Sequence, residues 1–358
     1  RRMDERKVLD ILSGRARGLG PAAVRAALSV VALPYSVLMR VRRRLYGCHL
    51  LPSRRADAIV LCVGNITTGG TGKTPMVAWV VERLKRIGCN PAILTRGYKA
   101  AAGRSDEAEL LKAACGVPVV VNPDRVAGAA EALSAGADVL VMDDGYQHRR
   151  LRRDLDIVLV DATNPFGFGR CLPRGLLREP ASALRDAGVV VITRSNEIER
   201  DDLERLKTRL SRLAPAATIH SAFHRPTGVV SESGTRPVSL LDGRRVLAFC
   251  GIANPESFFA TLERIGAIVA ARVRFADHAE YGPRQIERIR READAAGAEC
   301  LVTTEKDAVK IGRDALGPPL WRLAVEMDFL EGERALEEAI AATAAGKSLA
   351  ELRDPSGV

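Results

Sequence analysis

Apolar positions along the chain fall into two recurring patterns: short unbroken runs and longer stretches with helical spacing. The runs at 58–63, 91–95, 117–121, 138–142, 155–160 and 189–193 predict buried strands. Between them, helical periodicity marks 76–87, 108–115, 125–133 and 201–213. Strands alternating with helices predict an α/β fold, a parallel sheet with helices on both faces. Near Ala214 the pattern changes, and 218–224 and 228–230 read as extended segments in a linker. A second, smaller α/β unit follows. Its expected strands lie at 243–251, 267–273, 300–303 and 321–325, with helices at 255–265, from about Pro283, and from Thr304. The expected division is a basic N-terminal region (1–55), a core domain (56–217), linker strands with the second domain (218–330), and a C-terminal helix with its tail (331–358).

The N-terminal region has its own pattern. Val24, Leu28, Val31, Tyr35 and Leu38 share one helical face; Arg25, Ser29, Ala32, Ser36, Arg40 and Arg43 share another. The apolar run between Arg25 and Arg40 falls short of the ~20 residues of a confident membrane span. Pro34 is expected to kink the helix. No small-residue cleavage site supports a secretory signal. Charge sharpens this reading. Of the net +10, all belongs to residues 1–55, which hold 13 Lys/Arg and 3 Asp/Glu; the rest hold 41 of each. A basic amphipathic helix fits an anionic membrane surface. The alternative is a helix packed on the domain with a solvated basic face. Nucleic acid is a weaker third choice, because the rest of the chain is neutral and no recognition module follows. The 7 cysteines are scattered without a C-x-x-C pair, which predicts free thiols in a reducing compartment and no zinc site.

The chain is organised around the stretch 62–75. An apolar strand leads into Thr67-Thr68-Gly69-Gly70-Thr71-Gly72-Lys73-Thr74, and an amphipathic helix leads out. That is the context of a phosphate-binding loop. Glycine N–H groups and the helix N-terminus converge on phosphate oxygens, Lys73 reaches the β/γ-phosphates, and the Thr74 hydroxyl takes a place on Mg²⁺. Thr67 departs from the motif's first glycine.

Other candidates gather at strand ends. The run at 138–142 closes on Asp143-Asp144, carboxylates suited to Mg²⁺ beside the phosphates. Gln147 and His148 follow at once. The long loop 164–180 mixes glycines and aromatics with Arg170, Arg174 and Arg178, suiting an anion. Asp106 and Glu107 open a helix, where carboxylates are common without any catalytic role. Arg125 and Glu179 complete the candidate substrate contacts.

Together, Gly-Asn-Ile-Thr-Thr-Gly-Gly-Thr-Gly-Lys-Thr-Pro, Thr-Arg-Gly-Tyr, Ser-Asp-Glu, Asp-Asp-Gly-Tyr-Gln-His, Leu-Leu-Arg-Glu-Pro, Phe-Ala-Asp-His and Thr-Thr-Glu-Lys-Asp-Ala resemble the tetraacyldisaccharide 4′-kinase family of lipid A biosynthesis. The resemblance covers nearly the whole chain. It implies a two-domain P-loop kinase, peripheral on the cytoplasmic face of the bacterial inner membrane, moving the ATP γ-phosphate to the 4′-hydroxyl of a lipid disaccharide 1-phosphate. It implies Asp106 as general base with His278 as its partner, and Lys73 and Arg178 on the phosphoryl group. Thr74, Glu107, Asp143 and Asp144 fall in the Mg²⁺ region, with Gln147 and His148 beside it. ATP, Mg²⁺, the lipid and an anionic membrane are the implied partners; no obligate protein partner or nucleic acid is. Ala108 and Ala276 stand where the family commonly has proline, which bears on loop geometry. A membrane-surface ATPase switch is the main alternative, but Thr68 stands where such proteins carry an early signature lysine. A soluble small-molecule kinase is the other.

Overall fold

The structure, a computed structural model, describes residues 5–97, 106–231, 234–277, 279–311 and 319–346. In chain order the elements are α1 (Glu5–Ser13), α2 (Leu19–Gly47), β1 (Ile59–Asn65), α3 (Lys73–Arg86), β2 (Pro91–Thr95), α4 (Asp106–Cys115), β3 (Val119–Val121), α5 (Arg125–Ser134), β4 (Val139–Asp143), β5 (Leu155–Asp161), β6 (Val189–Thr193), α6 (Arg200–Leu213) and β7 (Thr218–Ser231). Then come β8 (Gly234–Arg236), β9 (Arg245–Cys250), α7 (Pro255–Arg264), β10 (Ile268–Arg274), α8 (Pro283–Ala296), β11 (Cys300–Thr304), α9 (Glu305–Ala308), β12 (Leu320–Glu331) and α10 (Glu333–Ala344). The chain divides into two compact units. The first comprises Arg1–Gly97, Cys115–Phe223 and Asp328–Val358, and the second Tyr98–Ala114 and His224–Met327.

In the first unit the strand order is β7-β6-β5-β1-β4-β2-β3, and among the described residues these strands pair in parallel. The central strands are buried on both sides, which is why they read as unbroken apolar runs. Their core includes Val60, Cys62, Leu140, Met142, Val158, Val190 and Ile192. Helix α3 buries Met76, Val77, Trp79, Val80, Val81 and Leu84, each such side chain contributing roughly 1.5–3 kcal/mol. The C-terminal segment returns to this unit: Arg83 pairs with Glu333 and Glu337 of α10, and Trp79 packs against Phe329 of β12 with the rings tilted. The second unit has the order β10-β9-β11-β12, with cores around Val246, Phe259 and Val302 and around Phe249 and Ile289.

Three features differ from the sequence expectation. The segments 218–224 and 228–230 are one strand, β7. Pro226 lies between the part paired with β6 (218–221) and the part paired with β8 (229–231), so its missing N–H interrupts neither ladder. Helix α2 continues through Pro34 for 29 residues, and it is apolar and long enough to cross a membrane by length and composition. Its faces are also reassigned. Ala32 is buried and Tyr35 packs on the core, whereas Val30, Val31, Leu33, Val37, Leu38 and Val41 are exposed. Arg25, Arg42 and Arg43 turn toward the protein, where Arg25 donates to the Ala16 carbonyl and Arg43 pairs with Asp186. All seven cysteines are free, as expected.

Close approach fixes the end of β1. A Cβ on Gly64 would lie 2.6 Å from Tyr146 Cβ, and one on Gly145 would lie 2.8 Å from Met142 Cβ. Gly64→Ala is therefore expected to destabilise the protein by about 1–3 kcal/mol through overpacking, read as a lower urea midpoint. An unchanged midpoint would refute this close-packing account.

Candidate active site

The loop after β1 begins as a short paired segment. Thr67 bridges Leu177 in antiparallel fashion, Thr68 N donates to Leu176 O at 2.7 Å, and Arg178 N donates to Ile66 O at 2.8 Å. Thr67 is buried and extended, which suits a β-branched residue where the motif has glycine. The chain then turns: Gly69 and Gly72 take φ of 127° and 83°, and Gly72 caps α3 in the left-handed conformation. Glycine adopts these angles without the steric penalty of a Cβ. Gly69 and Gly70 are exposed while Thr71 is buried. Lys73 and Thr74 open α3, so the helix N-terminus faces the loop.

Residues not singled out in the sequence hold this loop. Asn65 Nδ2 donates to Thr71 Oγ1 at 3.0 Å, Thr193 Oγ1 donates to Thr71 O at 3.0 Å, and Arg194 Nη2 donates to Gly70 O at 2.9 Å. Arg194 is itself left-handed (φ 54°) and pairs with Asp161. The signal for Thr193 and Arg194 was their place at the C-terminal end of an apolar strand, where α/β sheets present their ligand-facing ends.

Asp143 ends β4 in register with Val63 and is buried. Asp144 follows with φ 52°, its N–H donating to Val63 O at 3.0 Å. Its carboxylate meets two cations. Lys73 Nζ lies at 3.6 Å, and Arg178 Nη1 lies 2.8 and 2.9 Å from the two oxygens. Burial pushes the Asp144 carboxyl up, but Lys73 and Arg178 outweigh it and hold it below the usual carboxylate range. Arg178 Nη1 also reaches Gln147 Oε1 at 3.4 Å, and Gln147 Nε2 donates to Asn65 O at 2.9 Å. Lys73, Asp144, Arg178 and Gln147 thus form one hydrogen-bonded and ion-paired group at the mouth of the loop.

The remaining candidates lie apart from that group or beside it. Arg125 is buried, donating to Asn122 O at 2.7 Å; burial lowers its pKa while Asp143 and Asp144 raise it. Glu179 is buried, 4.0 Å from Arg42 and 3.8 Å from Arg149, and burial holds its carboxyl above the usual value. Asp106 and Glu107 open α4 in the second unit. The Asp106 side chain and all of His278 lie outside the described residues. Thr74, Asp143 and Asp144 carry hard oxygen atoms of the kind that Mg²⁺ would take as donors. Among the described residues no group of three or more His, Cys, Asp and Glu could hold a metal.

Parallel strands, a glycine-rich loop pinned at a strand end and a neighbouring strand closing on carboxylates define a P-loop nucleotide-binding protein of the phosphotransferase type. The family model described as tetraacyldisaccharide-1-P 4′-kinase matches residues 24–345. A tetraacyldisaccharide 4′-kinase of Anaeromyxobacter sp. (strain K) is 40% identical over 346 residues, covering 89% of this chain and 91% of its own. That of Geobacter metallireducens is 38% identical over 330 residues, covering 84% and 91%. The solved structure of LpxK from Aquifex aeolicus, described as the "apo" form in complex with ATP, superposes with a TM-score of 0.70 at 26% identity, covering 89% of this chain and 99% of that one. The chain belongs to the tetraacyldisaccharide 4′-kinase family.

His148 supplies a pH test. Burial, then Arg125 and Arg150, push its pKa down to about 4. The unfolded chain takes up this proton near the ordinary value of about 6.5. Stability from neutral His148 is therefore complete above about pH 6.5 and lost as pH falls toward 4, on the order of 1–3 kcal/mol for this half-buried ring. His148→Gln is expected to flatten that part of the urea-midpoint profile. A variant whose acid loss matches the parent's would rule it out.

Proposed function

We propose that this chain transfers the γ-phosphoryl group of ATP to the 4′-hydroxyl of a tetraacyl disaccharide 1-phosphate. The observation that carries the reading is Lys73 and Arg178 converging on Asp144 at the mouth of the phosphate loop, in a chain of this family. Gly69, Gly70 and the N-terminus of α3 receive the phosphates. Lys73 exchanges part of its pairing with Asp144 for β/γ-oxygens. Arg178 neutralises charge on the transferring group, where positioned cations supply most of the catalysis of phosphoryl transfer. Thr74, Asp143 and Asp144 would hold Mg²⁺, which would screen the phosphate charge there.

The acceptor oxygen bonds to the γ-phosphorus as the bridging bond to the β-phosphate breaks, releasing ADP. Its proton passes to the carboxylate of Asp106, with His278 assisting. A positioned base contributes ~10²–10⁴-fold to such a step. Gln147, His148, Arg125 and Glu179 are assigned to the substrate side, His148 as a neutral hydrogen-bonding group.

The lipid acceptor gives α2 its role. Its outer face presents Val30, Leu33 and Leu38, each more than half exposed (73%, 66% and 58%), while its inner face is ion-paired to the protein. That asymmetry favours a helix lying in an anionic inner-membrane surface over one surrounded by lipid. The protein is read as peripheral on the cytoplasmic side.

Labelled ATP and the lipid in mixed micelles test the activity. Lys73→Ala and Asp106→Ala are each expected to lower labelled product by at least about 10²-fold. ATP turnover by the parent with no labelled lipid would sink the kinase reading. For the membrane, Val30→Asp with Leu33→Asp is expected to abolish sedimentation with anionic vesicles while leaving the urea midpoint unchanged. Full sedimentation of that variant would remove α2 as the docking element.

A further inference from the structure

The inner face of α2 reaches the group around Asp144. Tyr35 Oη donates to the carbonyl of Arg178 at 2.8 Å, and Arg42 Nη2 donates to the carbonyl of Gln147 at 3.1 Å. Arg178 and Gln147 are the residues whose side chains meet beside Asp144. Each is also tied to the end of β1, Arg178 through its N–H to Ile66 O at 2.8 Å and Gln147 through Nε2 to Asn65 O at 2.9 Å. Both residues are thus clamped between the phosphate-loop strand and α2. Arg42 is further placed by Glu179 at 4.0 Å and by the Tyr46 ring at 5.4 Å. On the other side of the same helix lie the exposed apolar residues.

We infer that Tyr35 and Arg42 are positioning residues, through which α2, the lipid-facing helix, sets the Arg178 guanidinium and the Gln147 amide against Asp144 and so couples membrane docking to turnover. This rests on the role given to Arg178 under the proposed function. A helix transmits displacement as a rod. A small tilt of α2 turns the Arg178 peptide plane, and the guanidinium at the end of its long side chain moves further than the backbone. Misplacing a catalytic cation by about 1 Å lowers rate by up to about 10²-fold.

Tyr35→Phe keeps the ring in the core and removes only the hydroxyl. The expected result is a kcat about tenfold lower, the loss tied to one hydrogen bond and a slightly misplaced cation. KM for ATP, vesicle sedimentation and the urea midpoint are expected to stay unchanged, which a merely structural loss would not leave intact. In an Arg178→Lys background the same substitution is expected to have little further effect, because the group it positions is already altered. Losses that simply multiply in the double variant overturn the inference. So does a Tyr35→Phe enzyme with the parent's kcat when Arg178→Lys is impaired. An Arg178→Lys enzyme with the parent's kcat overturns it differently, by removing the premise about Arg178. If Tyr35→Phe lowers the urea midpoint, Arg42→Met reads the second anchor: lower kcat with unchanged KM for ATP supports the inference, and unchanged kcat overturns it.

Discussion

The site depends on one carboxylate. Asp144 sits at the end of β4, in a backbone conformation non-glycine residues seldom adopt, with Lys73 and Arg178 on it from two other segments. A partly buried charge without partners is costly, and pairing makes this one tolerable. The pairing also gathers chain segments far apart in sequence: the loop after β1, the turn after β4 and the long loop before β6. Removing Asp144 would leave two cations facing each other without a counter-charge. The group is therefore poised for anions, since phosphate oxygens can share the cations that Asp144 now neutralises.

Such a group works only if the loop beside it is stiff. Glycines alone would leave it mobile, since they gain turning freedom at the expense of order. Stiffness comes from neighbours: Asn65 and Thr193 on Thr71, Arg194 on Gly70, and the short antiparallel pairing of 66–68 with 176–178. Arg194 is held in turn by Asp161. This explains Thr67. The position is extended and paired where the motif's glycine would otherwise turn, so a β-branched residue fits it.

Much of the first unit was legible in the sequence because its central strands are buried on both faces and its helices alternate with them; periodicity alone separates the two. The loop and the carboxylates after β4 were legible through spacing. What was not legible depends on which surface an element meets. On α2, helical spacing showed two faces but not which one docks. Small Ala32 approaches the core, and Arg42 and Arg43 find carboxylates only because Glu179 and Asp186 lie beneath them. Those partners lie far along the chain, beyond any local pattern. Glu179 read as a substrate contact, and its burial beside Arg42 of α2 is a tertiary fact. β7 read as two pieces because Pro226 punctuates it, while the stretches paired with β6 and β8 lie on either side of that proline.

The orientation of α2 is the remaining constraint on how the enzyme meets its acceptor. An isolated amphipathic helix would put its apolar face on the protein and its arginines in water. Here the exposed face is apolar and part of the basic face is ion-paired inward, an inversion that leaves Val30, Val31, Leu33, Val37 and Leu38 without cover. Apolar area left in water forgoes roughly 25 cal/mol per Å², so such a face is more stable against an apolar phase. The same inversion makes the inner face polar and directional, with hydrogen bonds to the carbonyls of Arg178 and Gln147 in place of slippery hydrophobic contact. Hydrophobic packing tolerates sliding; hydrogen bonds to two fixed carbonyls do not. A helix held to the site by hydrogen bonds, with its apolar side chains turned outward, keeps the phosphate loop in a fixed register with that apolar face.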